Sequence, residues 1–202
     1  SKPRLDDKAL TSWNAIMLKG FVDAYKALQK QQYLDIALQN ADFIIKNQWS
    51  AEGNLWHSYK NGKSTINGFL EDYALVIDAF ISLYEVTFDE KWLQNAKQLC
   101  DYCFEHFYDA KSEFFSFTSN LDNALITNHF ETEDNVIPAS NSVMASNLYR
   151  LGIYYNNLYY ENICGKMLHH IIPNIDYPSA FSNWMNVFLN AAPNQKELAI
   201  CS

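Results

Sequence analysis

Three observations predict an all-α fold of consecutive helical hairpins. Seven segments carry apolar residues at helical spacing, and segments apolar on most sides alternate with amphipathic ones. Gly (6) and Pro (5) are scarce, which favours long regular elements over a turn-rich β-sandwich.

The first helix is expected over about Leu10 to Leu28. Trp13, Ile16, Met17, Gly20, Phe21, Ala24 and Leu28 form one stripe, and Ala15, Leu18 and Val22 make the other side apolar too, so burial nearly all round is expected. The second, about Tyr33 to Gln48, sets Leu34, Ala37, Leu38, Ala41, Ile44 and Ile45 against a polar face of Asp35, Gln39, Asp42 and Lys46. Phe69 to Val86 is again apolar on most sides, and Trp92 to Phe107 again amphipathic. Ser142 to Tyr155 and Tyr159 to Ile172 repeat the pair, and Ala180 to Asn190 opens a fourth hairpin.

The repeat can be read residue by residue. Tyr33-Leu34-x-x-Ala37 matches Trp92-Leu93-x-x-Ala96, and the same offset of 59 (33 to 92) pairs Phe21 with Phe80, Tyr25 with Tyr84 and Ala15 with Ala74. Repeats of this length, each unable to bury its apolar face alone, share a core with their neighbours. Links within a hairpin are short (Gln29 to Gln32, Thr87 to Glu90, Asn156 to Leu158), which forces antiparallel neighbours. Links between hairpins are long (Ser50 to Asn67, Asp109 to Ile137) and all lie at the end where the buried helices begin. The first reads as a small β-hairpin, Leu55 to Tyr59 leading to the turn pair Asn61-Gly62, and the second contains the strand-like run Phe114 to Phe117.

Buried helices inside, amphipathic helices outside and long loops at one end describe an α/α toroid of the six-hairpin glycosidase-like type, here incomplete, with three to four helical hairpins and small β-hairpin insertions. An open helical solenoid is the competing geometry. Residues 1–202 are read as one partial toroid domain, with 194–202 starting a further segment.

The 202 residues suffice for a sizeable core, and 49% hydrophobic with 19% charged residues is an ordinary globular balance. A net charge of −8, with no basic run, argues against nucleic acid as a partner. No apolar stretch approaches the roughly 18 residues that span a bilayer, so no membrane partner is expected, and no signal peptide opens the chain. Four cysteines are too few for a disulfide framework, and a cytoplasmic location is the expectation.

Chemistry-bearing residues gather at the starts of the buried helices: Thr11-Ser12-Trp13-Asn14, Gly68-Phe69-Leu70-Glu71-Asp72-Tyr73 and Pro138-Ala139-Ser140-Asn141-Ser142, with Asp6-Asp7-Lys8 just upstream. Helix N-termini aim unpaired N–H groups and positive dipole ends into the space they face. Carboxylates beside Trp and Tyr suit a sugar, since acids bind or protonate its oxygens and aromatic rings cover its apolar faces. Glu71 and Asp72 are the candidate catalytic carboxylates. Asp6, Asp7, Trp13, Asn14, Tyr73, Ser140, Asn141 and His57 are candidate substrate contacts.

A capping reading stands beside this one: Thr, Ser and Asn cap helices, acidic residues suit a first turn, Asp6 and Asp7 can pair with Arg4 or Lys8, and Trp13 can be core. Histidine is absent from the three buried helices; His57 and His129 fall in loops, and His106, His169 and His170 near outer-helix ends. No spacing marks a metal site, nucleophile motif or phosphate loop, so neither metal nor cofactor is expected. Cys100-x-x-Cys103 lies on an apolar stripe and reads as two small hydrophobes.

Lys2-Pro3-Arg4, Asp6-Asp7-Lys8, Leu10-Thr11-Ser12-Trp13-Asn14, Gly68-Phe69-Leu70-Glu71-Asp72-Tyr73-Ala74 and Pro138-Ala139-Ser140-Asn141-Ser142 together resemble the spermatogenesis-associated, thioredoxin-domain-containing family. The resemblance implies an N-terminal thioredoxin-like domain followed by a six-hairpin toroid similar to N-acylglucosamine 2-epimerases and some glycosidases. On that basis the chain is expected to be the C-terminal portion of a longer protein. Similar epimerases use inner-helix histidines as acid and base, and the corresponding helices here have none. Two functions follow as expectations: a sugar-binding or glycosidase- or epimerase-like toroid, or a non-catalytic scaffold for a fused thioredoxin-like domain. An incomplete ring also leads one to expect self-association of the chain.

Overall fold

The computed structural model describes residues 6–122 and 129–192, which form two compact units, Ser1–Glu131 and Thr132–Ser202. The expected further segment at 194–202 lies outside the described residues, as do Lys2, Pro3 and Arg4.

In the first unit, β1 (Ala9–Leu10) runs directly into α1 (Thr11–Leu28), which packs on α2 (Gln31–Phe43). The last turn of that second helix widens into a π-helical turn, Ile44–Gln48, where a plain α-helix was expected. A β-hairpin follows, β2 (Trp56–Lys60) and β3 (Lys63–Asn67), and then α3 (Leu70–Thr87), α4 (Glu90–His106) and a two-stranded ladder of β4 (Tyr108–Asp109) with β5 (Phe114–Phe115). The hairpin closes on Asn61 (φ 51°) and Gly62 (φ 77°), both left-handed as a two-residue primed turn requires. β1 adds to its other edge antiparallel, Ala9 opposite Tyr59 and Leu10 opposite Ser58. The strand carrying His57 is thereby tied to the start of α1.

The core of this unit lies between α1, α2, α3 and α4. Leu18, Val22, Ala37, Ala41, Ile77, Phe80, Ala96 and Leu99 are fully buried, and the Phe80 ring lies 6.4 Å from Trp49 and 5.5 Å from Trp92. Cys100 and Cys103 are buried free thiols within it, and burial pushes the Cys103 thiol well up. The small-hydrophobe reading of that pair holds.

The second unit comprises α5 (Ser140–Tyr155), α6 (Leu158–Ile171), two short 3₁₀ turns and α7 (Ser182–Ala191). Leu148, Leu151, Met167 and Trp184 make its core. Asp134 ties the unit together. Its Oδ1 accepts from the Ala139 N–H (2.9 Å) and the Ser142 hydroxyl (2.9 Å), and its Oδ2 from the Asn183 N–H (2.8 Å). One carboxylate therefore serves the starts of α5 and α7, satisfying donors a helix leaves open.

The three hairpin links share one device. Gln29, Phe88 and Asn156 each sit just past a helix in the left-handed conformation (φ 54°, 54° and 47°), and only Asn156 is a residue type that commonly takes it. The backbone reversal thus repeats where side-chain identity does not.

One expectation fails. The first helix is not buried nearly all round: Ala15, Leu18 and Val22 are fully buried, whereas the opposite stripe is open, with Trp13 54%, Met17 56% and Leu28 54% exposed. Packing on α2 and α3 takes up one face only. Trp13 is accordingly not a core residue. No helix among the described residues is long and apolar enough to cross a membrane.

Candidate active site

Asp72 organises the start of α3. It is fully buried in the first turn, and a lone buried carboxylate would be costly. Its oxygens are supplied with donors from three directions. Oδ1 accepts from the Ser12 N–H at 2.9 Å, and Oδ2 accepts from the Phe69 N–H at 3.0 Å and meets Nδ1 of His57 at 2.9 Å. The N–H of Phe69 is the N-cap donor of α3 and that of Ser12 is an open donor in the first turn of α1, so one side chain joins two helix starts to the β-hairpin.

The hairpin delivers His57. Gly68 bends the chain from β3 into α3, where its N–H donates to the Leu55 carbonyl at 2.8 Å. A Cβ on Gly68 would lie 2.7 Å from that same oxygen, so only glycine permits this approach. His57 then rests edge-on against Phe69 (ring centroids 4.9 Å), and Phe69 stacks on Phe117 at 5.0 Å. Asp72 raises the His57 pKa above 6.5, against the opposing effect of burial. With Nδ1 held by the carboxylate, Nε2 is the ring atom left for a ligand.

Glu71 stands beside this pair. A nitrogen of His57 and one carboxylate oxygen each of Glu71 and Asp72 all lie within 4.8 Å of one another. Glu71 is half-buried, and burial, then the nearby charges of Asp72 and Glu131, push its pKa above 4.5. Among the described residues this trio has the donor types of a divalent metal site. Asp72, however, is committed to three N–H donors, which leaves His57 and Glu71, fewer than the three protein ligands of a catalytic zinc.

A groove of about 300 Å³ at the start of α1 is lined by Lys8, Ala9, Leu10, Trp13, Asn14 and Met17, and none of the trio lines it. Ala9 and Leu10 of that lining form β1, which pairs with the strand that carries His57. Trp13 offers an exposed indole face there. The Asn14 amide N–H donates to the Leu10 carbonyl at 2.7 Å, which fixes the side chain at the helix start.

Several sequence candidates fall elsewhere. Tyr73 is not a surface contact: its ring is fully buried, 5.3 Å from Tyr102, and its hydroxyl accepts the Leu55 N–H at 2.8 Å. Asp7 is exposed and pairs with Lys60, which holds its carboxyl below the usual range. Asp6, also exposed, pairs with Lys8 at 3.5 Å. Ser140 and Asn141 are fully buried in the second unit, each with partners of its own. Thr11 and Ser12 do not cap α1, whose N-cap position is Leu10; the Thr11 hydroxyl donates to the Trp56 carbonyl, across to the hairpin. The pairing of His57 with Asp72 is what the sequence did not disclose, because it depends on β2 crossing the start of α3.

Known proteins share both the sequence and the shape. The family model described as Beta-L-arabinofuranosidase, GH127 catalytic domain matches residues 7–137. Human spermatogenesis-associated protein 20 is 31% identical over 160 residues, covering 74% of this chain, and the chain spans only 20% of that protein's length. The resemblance to that protein family is borne out. Among solved structures, a GH76 alpha-mannanase of Bacteroides thetaiotaomicron superposes with a TM-score of 0.72 at 15% identity, over 94% of this chain and 54% of that one. A sugar epimerase from a ruminal bacterium superposes with a TM-score of 0.67 at 15% identity, over 85% of this chain and 46% of that one. These likenesses establish the six-hairpin α/α toroid fold class, with small antiparallel strand insertions. With well over half of its residues matched, the chain belongs to the family of the Beta-L-arabinofuranosidase, GH127 catalytic domain.

Proposed function

We propose that the protein binds and processes a sugar at the starts of α1 and α3, with His57 and Glu71 as the groups that move protons and Asp72 as the residue that positions His57. The observation that carries this reading is the His57–Asp72 contact of 2.9 Å with the half-buried Glu71 beside it. A carboxylate-held imidazole next to a desolvated carboxyl is a paired acid and base. In its protonated form His57 keeps Nδ1–H on Asp72 and presents Nε2–H to a hydroxyl or a leaving oxygen. Glu71, ionised, accepts a proton. Trp13 and Asn14 line the groove at the start of α1 and supply a ring platform and a hydrogen-bonding group for the sugar. The carbohydrate enzymes of similar fold and the GH127 family support this class of ligand.

Calorimetric titration of the protein against a panel of mono- and disaccharides tests the proposal. Glu71→Gln and His57→Gln are each expected to weaken binding of the recognised sugar about tenfold, the scale of one lost charge-assisted hydrogen bond. Turnover should follow a bell-shaped pH profile. Its acid limb lies above 4.5, where Glu71 gains its proton, and its alkaline limb above 6.5, where His57 loses one.

The competing reading is a non-catalytic scaffold for a thioredoxin-like domain, and the commitment of Asp72 to backbone N–H groups is the observation in its favour. Sugar affinity that neither substitution changes would support the scaffold and end the catalytic proposal.

A further inference from the structure

The Ser12 side chain is one that the fold itself does not use. It stands in the first turn of α1, fully buried, and its hydroxyl has no hydrogen-bond partner among the described residues. A serine at a helix start ordinarily caps it or returns its hydroxyl to a carbonyl of the preceding turn. Ser12 does neither: Leu10 holds the N-cap position, and no backbone carbonyl accepts from its hydroxyl. A buried hydroxyl in this state is costly, because neither water nor a neighbour satisfies it. Its backbone is fixed, since the Ser12 N–H donates to Oδ1 of Asp72 at 2.9 Å, which sets this residue against the first turn of α3. The group its hydroxyl acts on there is Glu71. Burial, then the charges of Asp72 and Glu131, push the Glu71 pKa up; the charge of His57 and the Ser12 hydroxyl pull the other way.

We propose, on the reading of Glu71 as the proton acceptor, that Ser12 is its positioning residue: the buried hydroxyl turns onto the Glu71 carboxylate, donates to it and holds it beside His57. One residue then serves both carboxylates, Asp72 through its N–H and Glu71 through its O–H. The division suits their tasks. Asp72 receives three N–H donors and is taken up by holding His57 and two helix starts. Glu71 is faced by Asp72 on its own helix, by His57 on β2 and by Glu131 from the second long link. A half-buried carboxyl among like charges tends to keep its proton, and then it cannot act as a base. A hydroxyl donor favours the ionised form. Being neutral, it does so without setting a further positive charge beside protonated His57.

Carbon-detected NMR of the Glu71 carboxyl, assigned with Glu71→Gln and titrated over pH, tests this without any sugar. Ser12→Ala keeps the N–H that Asp72 accepts and removes only the hydroxyl. It is expected to lower the acid dissociation constant of Glu71 at least about threefold, the lower end of what one hydrogen bond to a charged group supplies. Ser12→Cys, of similar volume with only a weak S–H donor, should move Glu71 the same way, and it decides the matter if Ser12→Ala fails to fold by circular dichroism. With a sugar that the protein turns over, Ser12→Ala should move the acid limb of the kcat profile to higher pH and leave KM unchanged. A Glu71 titration that is unchanged in the folded variant overturns the proposal, and so does an acid limb that stays in place. Higher stability with no change at Glu71 would mark the hydroxyl as a plain unsatisfied group. A protein that turns over no sugar ends the sugar-processing reading, and the Glu71 titration still decides the role of Ser12.

Discussion

Asp72→Ala is expected to cost about 3–5 kcal/mol of folding stability, the range for removing one member of a buried, hydrogen-bonded charged pair. The carboxylate is fully buried and receives the Ser12 and Phe69 N–H groups and Nδ1 of His57. Truncation orphans two helix-start donors and a ring nitrogen at once, and alanine supplies no replacement. Part of the loss depends on pH. The His57 pKa is raised by its partner, so the pair's contribution is fully present below 6.5 and disappears as pH rises through the folded value. Chemical denaturation of wild type and variant should therefore show a larger gap at mildly acidic than at alkaline pH. A gap of under about 1 kcal/mol would mean that Asp72 does not hold these elements together.

The second large effect belongs to the other unit. Asp134→Ala is expected to cost about 2–4 kcal/mol, because it withdraws the acceptor of two backbone N–H groups and the Ser142 hydroxyl. The Ser142 hydroxyl keeps the Ala139 carbonyl at 2.8 Å and the Asn183 side chain keeps Ser142 at 2.9 Å, so part of the network survives and the expected loss is the smaller of the two. Hydrogen exchange would locate it: protection should fall at the first turns of α5 and α7 and leave the first unit, with its own carboxylate, unchanged. Uniform loss over both units would contradict the separate roles of the two aspartates.

The helices were legible because packing writes its period into the chain. Alternation of Leu34, Ala37 and Ala41 with Asp35, Gln39 and Asp42 is a one-dimensional record of a buried and a solvated face. The Asn61-Gly62 turn was legible for a local reason, since both residues adopt left-handed backbone at little cost. What burial decides beyond one helix was not. The stripe of α1 containing Met17 has the same pattern as the buried stripe of α3, and only tertiary neighbours distinguish them.

The site was half legible for a similar reason. Glu71 and His57 were candidates from the sequence, and the structure brings them together. Tyr73 and Asp72 sit in the same motif, yet Tyr73 is a buried support for Leu55 and Asp72 a hub for three donors. Sequence spacing along a helix start places side chains around its axis; whether a given one meets a hairpin, a core or open space depends on what the 20-odd preceding residues do. His57 and Asp72 are 15 residues apart, joined only because β2 and β3 fold back before α3 begins.

In the proposed function His57, held by Asp72, is a protonated group offered to a sugar. Nitrogen-detected NMR of the imidazole, titrated over pH with and without the recognised sugar, measures it directly. The expected result is a His57 pKa above 6.5 with the proton retained on Nδ1, and a shift of the Nε2 resonance when sugar binds. A His57 that titrates at or below 6.5 and whose Nε2 resonance ignores every sugar bound by the protein would contradict it.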